Sequence, residues 1–179
     1  MFVRTTDPED VQLETVGRQI CEDDEVRLIG EDGKKVPFGE VGELCVRGPY
    51  TLRGYFGAPE HNAKVFTADG FYCSGDLMRQ HPSGNYMVEG RIKDVINRGG
   101  EKISPREIDE VLLGHPAVAE AVAFGTAHPT WGEEVAAAVV LSGDASAADL
   151  IAYCKERMAD FKRPKQIHIT TTIPRTATG

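Results

Sequence analysis

A change of pattern near residues 93–94 is the sequence feature that most constrains how this chain folds. Before it, short segments in which apolar and polar residues alternate are separated by glycine-rich turns, a pattern typical of antiparallel strands. After it, strand-like and helix-like segments alternate. The sequence therefore predicts an α+β protein, with a β-rich partial barrel or sheet over residues 1–93 and a small α+β domain over residues 94–179.

Local signals place the elements of the second half. Ser104 and Glu107 have the spacing of a capping box, with Pro105 at the first helical position, which predicts a helix over residues 105–114. Ser146 and Asp149 repeat the cap and predict a second helix over residues 147–159. Apolar runs predict strands at 118–124, 135–141 and 165–170, with a loop at 125–132.

Composition is that of an ordinary globular domain with a core, at 41% hydrophobic and 27% charged residues. The sequence has neither a run of apolar residues long enough to cross a membrane nor a signal-peptide core. We therefore expect a cytoplasmic protein without a membrane partner. The four cysteines lie far apart and form no CxxC pair, and the histidines lack ligand spacing, so we expect reduced thiols and no metal site.

The net charge of −8 is unevenly distributed. Residues 1–45 are strongly acidic, whereas residues 91–106 and 155–165 are each locally basic. Basic segments in an acidic protein suit a small anionic ligand such as a nucleotide or a phosphopantetheine arm, although solvated loops and helix ends explain them as well. A pI near 5.1 argues against nucleic acid as a partner.

Three segments combine glycine with charged residues at close spacing. Phe71-Tyr-Cys-Ser-Gly-Asp76 ends on a carboxylate, which is a suitable acceptor for two hydroxyl donors, although the same residues also suit an Asx-type turn. Gly90-Arg-Ile-Lys-Asp94 is followed by a segment that begins with adjacent glycines, Gly99-Gly-Glu-Lys-Ile-Ser-Pro-Arg-Glu-Ile-Asp109. Adjacent glycines permit a backbone to run close to a ligand.

Together these segments resemble the closing motifs of the acyl-adenylate-forming enzymes. That superfamily includes acyl-CoA synthetases, aryl-acid AMP ligases, adenylation domains of peptide synthetases and firefly luciferase. Residues 44–77 look most like aryl-acid AMP ligases that activate 2,3-dihydroxybenzoate or salicylate, as in siderophore biosynthesis. Residues 96–165 are more similar to acyl-CoA synthetases.

The resemblance implies a nucleotide site and a hinge. Asp76 matches the aspartate that binds both ribose hydroxyls of ATP, and Arg91 matches an arginine that contacts the ribose and phosphates. Lys93 and Asp94 match the hinge about which the C-terminal domain turns between two half-reactions. The implied reaction uses ATP with Mg²⁺ to convert a carboxylic acid to an acyl-adenylate.

The resemblance also implies a thiol acceptor. Gly99, Gly100 and Glu101 match the loop that lies along the thiol-bearing arm during thioester formation. The acceptor is CoA or the phosphopantetheine of a carrier protein, so an aryl carrier protein is a candidate partner.

The end of the sequence resembles a loop that presents a catalytic lysine, which is expected directly after Gly179. The phosphate loop and the acyl pocket of the family also lie outside this sequence. We therefore expect a C-terminal fragment of an AMP-forming ligase, inactive by itself and without a catalytic residue of its own. Two alternatives stay open: a noncatalytic module that binds AMP or a carrier protein, and one part of a split ligase.

Overall fold

The computed structural model describes residues 1–175, and the chain divides into two compact units, Met1–Lys93 and Asp94–Gly179. Both units contain helices and sheets, which confirms the predicted α+β class. Of the predicted lysine-presenting loop at 174–179, only Pro174 and Arg175 are described, and the rest lies outside the described residues. Among residues 1–175, no helix combines the length and the apolar character needed to cross a membrane.

The first unit is built on a four-stranded antiparallel sheet with the order β1-β2-β3-β4. Its strands are β1 (Glu25–Ile29), β2 (Val41–Arg47), β3 (Tyr72–Gln80) and β4 (Tyr86–Arg91). Two short helices accompany it, α1 (Glu9–Glu14) and α2 (Pro59–Val65), neither of which we predicted from the sequence.

One face of this sheet forms a small hydrophobic core. Leu28, Leu44, Met78 and Tyr86 are buried there, and four valines pack against them (Val26, Val36, Val46 and Val88). The alternation of apolar and polar residues thus places one side of each strand in the core, as predicted. A turn precedes Val36, and in it the Gly30 amide donates to the Lys34 carbonyl at 2.8 Å.

The second unit contains a five-stranded mixed sheet. Its strands are β5 (Ile96–Arg98), β6 (Glu101–Ile103), β7 (Val118–His128), β8 (Gly132–Leu141) and β9 (Gln166–Thr170). The antiparallel order is β6-β5-β8-β7, and β9 pairs in parallel with β8. Helices α3 (Pro105–Leu113) and α4 (Ala147–Lys155) pack on its core through Ile108, Leu112, Leu150 and Cys154, none of which has measurable exposure.

The helix starts agree with the predictions, but the cap at α3 differs. At α4, Ser146 and Asp149 form the reciprocal capping box. At α3, Ser104 occupies the N-cap position, but the Glu107 carboxylate accepts hydrogen bonds from Lys162 Nζ at 2.7 and 2.9 Å instead of completing a box. Helix α4 also ends at Lys155 rather than at residue 159, because the chain turns there and the Arg157 amide donates to the Cys154 carbonyl.

The prediction of a loop at residues 125–132 is wrong. Strand β7 continues to His128, and its ladder with β8 runs without interruption from Gly125–Val135 to His128–Gly132. Only residues 129–131 connect the two strands. Pairing along both strands outweighs the low strand propensity of Gly125 and the polar residues that follow it.

The expectation that all four cysteines are reduced is also wrong. Cys45 of β2 and Cys73 of β3 form a disulfide, whereas Cys21 and Cys154 are free. The bonded residues are 28 positions apart in sequence but directly opposite in the antiparallel register. Spacing along the sequence gave no indication of this pairing, because the register of two strands decides which side chains meet.

Candidate functional site

Asp76 lies on a bulge of β3. Between the Glu43–Leu77 pair and the Cys45–Cys73 pair, β2 advances by two residues whereas β3 advances by four. The two extra residues interrupt the pairing of Ser74, Gly75 and Asp76 with β2, while Asp76 keeps its pairing with Arg91 of β4. Bulges of this kind re-aim a side chain, here the Asp76 carboxylate.

Three hydrogen bonds to backbone groups define the shape of this bulge. Gly75 has a φ of 77°, a conformation that favours glycine, and its amide donates to a Glu43 carboxylate oxygen at 3.1 Å. The Gly75 carbonyl accepts from the Ile92 amide at 2.9 Å. The Asp76 amide donates to Ser74 Oγ at 3.1 Å. The serine rather than the aspartate closes the local turn, so the Asp76 carboxylate is directed elsewhere.

Asp76 and Arg91 are brought together by the sheet. They are opposite each other on β3 and β4, and Arg91 Nε donates to Asp76 Oδ1 at 2.9 Å. The Asp76 side chain is 25% exposed and that of Arg91 is 68% exposed. The pair therefore presents a carboxylate and a guanidinium side by side at an accessible surface, an arrangement that suits a ligand with both hydroxyl and phosphate groups.

Tyr72 lies near this pair on the same strand. Its hydroxyl shares a hydrogen bond of 3.0 Å with the Tyr55 hydroxyl. This bond, together with burial and the charge of Asp76, raises the pKa of Tyr72 to about 12. The phenol therefore stays protonated near neutral pH and contributes no charge next to Asp76.

The predicted hinge residues follow directly after β4. Lys93 and Asp94 are exposed and lie in a turn between β4 and β5, and the division between the two compact units falls between them.

The predicted thiol loop is a tight hairpin in the second unit. Gly99 and Gly100 connect β5 and β6 as a two-residue turn, with Arg98 opposite Glu101. Their φ values of 61° and 93° are both positive, as a type I′ turn requires. Gly99, Gly100 and Glu101 are all exposed, so the backbone at the tip of the hairpin is accessible.

Trp131 supports one side of this hairpin. Its carbonyl accepts from the Gly99 amide at 2.8 Å, and a Cβ added to Gly99 would lie 2.7 Å from Trp131 Cε3. Arg98 lies 5.1 Å from the tryptophan ring and forms a two-pronged pair with Glu134, at 2.6 and 3.1 Å. Burial opposes ionisation of Glu134, but the hydrogen bonds from Arg98 and the Val135 amide outweigh it and lower the pKa of the carboxyl.

Sequence reasoning missed three residues around the bulge. Glu43 anchors Gly75, and Cys45 and Cys73 bridge the strands beside it. The Glu43 carboxylate and the two sulfurs lie within 4.8 Å of one another, a set of atoms able to ligate a metal ion when the cysteines are reduced. Only the register of β2 against β3 reveals this group.

Two family models match the sequence. The model of the AMP-binding enzyme matches residues 1–56, and that of the AMP-binding enzyme C-terminal domain matches residues 107–179. Both models describe parts of AMP-binding enzymes. The relatives of this chain include aryl-acid AMP ligases and CoA synthetases, the two groups that the sequence resembled.

Two relatives and one solved structure illustrate the similarity. A salicylyl-CoA synthase / salicylate adenylyltransferase of a Streptomyces species is 45% identical over 184 residues, which cover 99% of this chain and 33% of the relative. The salicyl-AMP ligase / salicyl-S-ArCP synthetase of Mycobacterium tuberculosis is 46% identical over 180 residues, with coverage of 99% and 32%. The o-succinylbenzoate CoA synthetase of Bacillus subtilis, in complex with an acyl-adenylate intermediate, matches with a TM-score of 0.84 at 36% identity, covering 96% of this chain and 35% of that one.

The chain thus spans about a third of the length of the curated relatives that it matches.

Proposed function

We propose that these residues form the C-terminal part of an ATP-dependent, AMP-forming ligase that activates an aryl acid and transfers it to a thiol. Support comes from relatives that act on salicylate and 2,3-dihydroxybenzoate. In this proposal residues 1–93 belong to the large AMP-binding domain, and residues 94–179 belong to the small mobile domain.

The observation that carries the proposal is the bulge that presents Asp76 beside Arg91. An ionised carboxylate is acceptor-only, so it pairs well with the two hydroxyl donors of a ribose. Arg91 Nε donates to one carboxylate oxygen at 2.9 Å, which keeps Asp76 oriented, and the exposed guanidinium is the proposed contact for the phosphates of the nucleotide. Each charge-assisted hydrogen bond to the ribose contributes about 1.5–3 kcal/mol.

In the second half-reaction the thiol of CoA or of a carrier-protein pantetheine displaces AMP. The exposed glycine hairpin is the proposed contact for the acceptor arm, because Gly99 and Gly100 offer backbone without side chains. Lys93 and Asp94 are the proposed hinge that lets the small domain change position between the two steps. The relatives include both a CoA ligase and an ArCP synthetase, so both acceptors belong in the assay.

Mg²⁺ enters the proposal as the counterion of ATP, and no residue of this chain is assigned to it. A cytoplasmic location, where ATP and CoA are available, is part of the same proposal. An aryl carrier protein remains the candidate macromolecular partner.

The test uses the full-length protein that contains this chain. Acid-dependent exchange of pyrophosphate into ATP is measured with salicylate, 2,3-dihydroxybenzoate and a fatty acid, and exchange with an aryl acid is expected. Asp76→Ala is expected to raise the KM for ATP at least about tenfold, since the loss of about 1.4 kcal/mol already gives that factor. The effect on 2′-deoxy-ATP should be smaller, because that substrate lacks one of the two hydroxyls.

Asp69→Ala is the matched control. Asp69 also forms an exposed ion pair, with Arg27 at 3.0 Å, but it lies outside the bulge. Its removal should leave both KM values unchanged.

Equal sensitivity of ATP and 2′-deoxy-ATP to Asp76→Ala would reduce Asp76 to a structural residue. AMP binding without exchange would favour the noncatalytic module, and exchange only with an added second chain would favour the split ligase.

A further inference from the structure

The disulfide between Cys45 and Cys73 lies at the edge of the bulge that presents Asp76. The two cysteines are directly opposite on β2 and β3, with their Cα atoms 4.2 Å apart. They form the last regular pair before β3 leaves the ladder, and Asp76 lies three residues further along β3. A covalent bond at this position fixes the backbone at the start of the bulge, and the hydrogen bond between Glu43 and Gly75 fixes its central residue.

The two sulfurs differ in accessibility. Cys45 is buried, at 2% exposure, whereas Cys73 is partly exposed. The free cysteines offer no comparable pairing: Cys154 is fully buried in the second unit, where burial raises the pKa of its thiol, and Cys21 is remote in sequence from either strand. The Cys73 sulfur is therefore accessible to a reagent in solution, and the buried Cys45 sulfur can react with Cys73.

We propose that Cys45 and Cys73 form a reversible thiol–disulfide site that reacts with low-molecular-weight disulfides and tunes nucleotide binding at Asp76. The Cys73 thiolate attacks one sulfur of the disulfide R–S–S–R, which forms a mixed disulfide and releases R–S⁻. The Cys45 thiolate then attacks the Cys73 sulfur, forms the bridge and releases the second R–S⁻. The two thiol protons pass to the released thiolates, so two cysteines are oxidised and R–S–S–R is reduced to two R–SH.

The effect on nucleotide binding follows from conformational entropy and rests on the proposed function. The bridge restricts the backbone of the bulge before the ligand binds, so less ordering remains to oppose binding. The oxidised protein should bind AMP about fivefold more tightly than the reduced protein. This ratio is expected if the bridge fixes the backbone of about one residue before AMP binds, so that its conformational entropy is no longer lost on binding.

The first measurement concerns the bridge alone. The full-length protein is equilibrated in mixtures of reduced and oxidised glutathione, its thiols are alkylated, and its peptides are mapped by mass spectrometry. A Cys45–Cys73 linked peptide should appear as the mixture becomes oxidising and should disappear on reduction. Cys21→Ser should not change this titration, and Cys73→Ser should abolish it. A persistent glutathione adduct on Cys73 without a linked peptide would refute the site.

The second measurement is the Kd for AMP of the oxidised and reduced forms, by calorimetry. The difference should vanish in Cys73→Ser, whose fold is checked by circular dichroism. A linked peptide with identical Kd values in both forms would refute the tuning but not the bridge. If neither the oxidised nor the reduced protein binds AMP, the proposed nucleotide site is refuted, and the proposed tuning is refuted with it. The same holds if both forms bind AMP and Asp76→Ala does not change the Kd. The peptide map decides independently whether the Cys45–Cys73 bridge forms.

Discussion

Replacement of Gly99 by alanine is the sharpest test of how the glycine hairpin is built. Both hairpin glycines have positive φ, so alanine at either position costs about 1–2 kcal/mol of backbone strain. At Gly99 the new Cβ also lies 2.7 Å from Trp131 Cε3, whereas at Gly100 no heavy atom of residues 1–175 outside the adjacent positions lies within 4 Å of the added Cβ. We expect Gly99→Ala to be more destabilising than Gly100→Ala by about 1–3 kcal/mol, the usual cost of an overpacked contact.

The measurement is urea denaturation, monitored by circular dichroism, of six proteins: the unsubstituted protein, Trp131→Ala, each glycine-to-alanine variant, and each of these two combined with Trp131→Ala. In the Trp131→Ala background the steric term disappears, so Gly99→Ala and Gly100→Ala should have similar costs. The coupling between Gly99 and Trp131 should therefore be about 1–3 kcal/mol, and that between Gly100 and Trp131 close to zero. Equal costs in the native background, or a difference that persists without the tryptophan, would refute the argument that Trp131 excludes a side chain at Gly99.

Three further predictions concern other parts of the chain. Burial raises the pKa of Asp109 to about 6, so the folded state binds its proton more tightly than the unfolded state, and stability from this group falls as pH rises from about 4 to 6. Asp109→Asn should remove that dependence and raise stability at pH 7 by about 1–2 kcal/mol in urea denaturation, less than the full pKa shift implies because solvent screens this partly exposed carboxyl. An unchanged pH profile would contradict the prediction. Glu134→Ala leaves the Arg98 guanidinium without its two-pronged partner and should cost about 1.5–3 kcal/mol, with a smaller further loss when Arg98 is also removed. Asp94→Pro fixes φ at the proposed hinge and should slow thioester formation far more than adenylation in single-turnover assays; equal loss of both steps would exclude the hinge role.

Local chemistry accounts for what the sequence predicted well. The capping box at Ser146 and the start of α3 at Pro105 each depend on residues within four positions of one another. Such signals are visible in the sequence because the interacting groups are neighbours along the chain. The same holds for the alternation that placed Leu28 and Leu44 in the core.

Register accounts for what the sequence could not predict. The β3 bulge, the disulfide between Cys45 and Cys73 and the Glu43–Gly75 hydrogen bond all depend on which residues of β2 and β3 are opposite each other. A shift of one residue would place each side chain on the other face of the sheet. The continuation of β7 through residues 125–128 has the same origin, since only pairing with β8 makes that segment a strand.

The two candidate sites share a physical design. In each, a glycine supplies a backbone conformation that other residues rarely adopt, Gly75 at the bulge and Gly99 at the hairpin. In each, a residue from a segment distant in sequence then fixes the glycine through its amide: the Glu43 carboxylate in the first case and the Trp131 carbonyl in the second. Because glycine is also the most flexible residue in the unfolded chain, the conformation persists only while the distant partner holds it. Substitutions at the partners should therefore loosen these sites even where every predicted motif residue is intact.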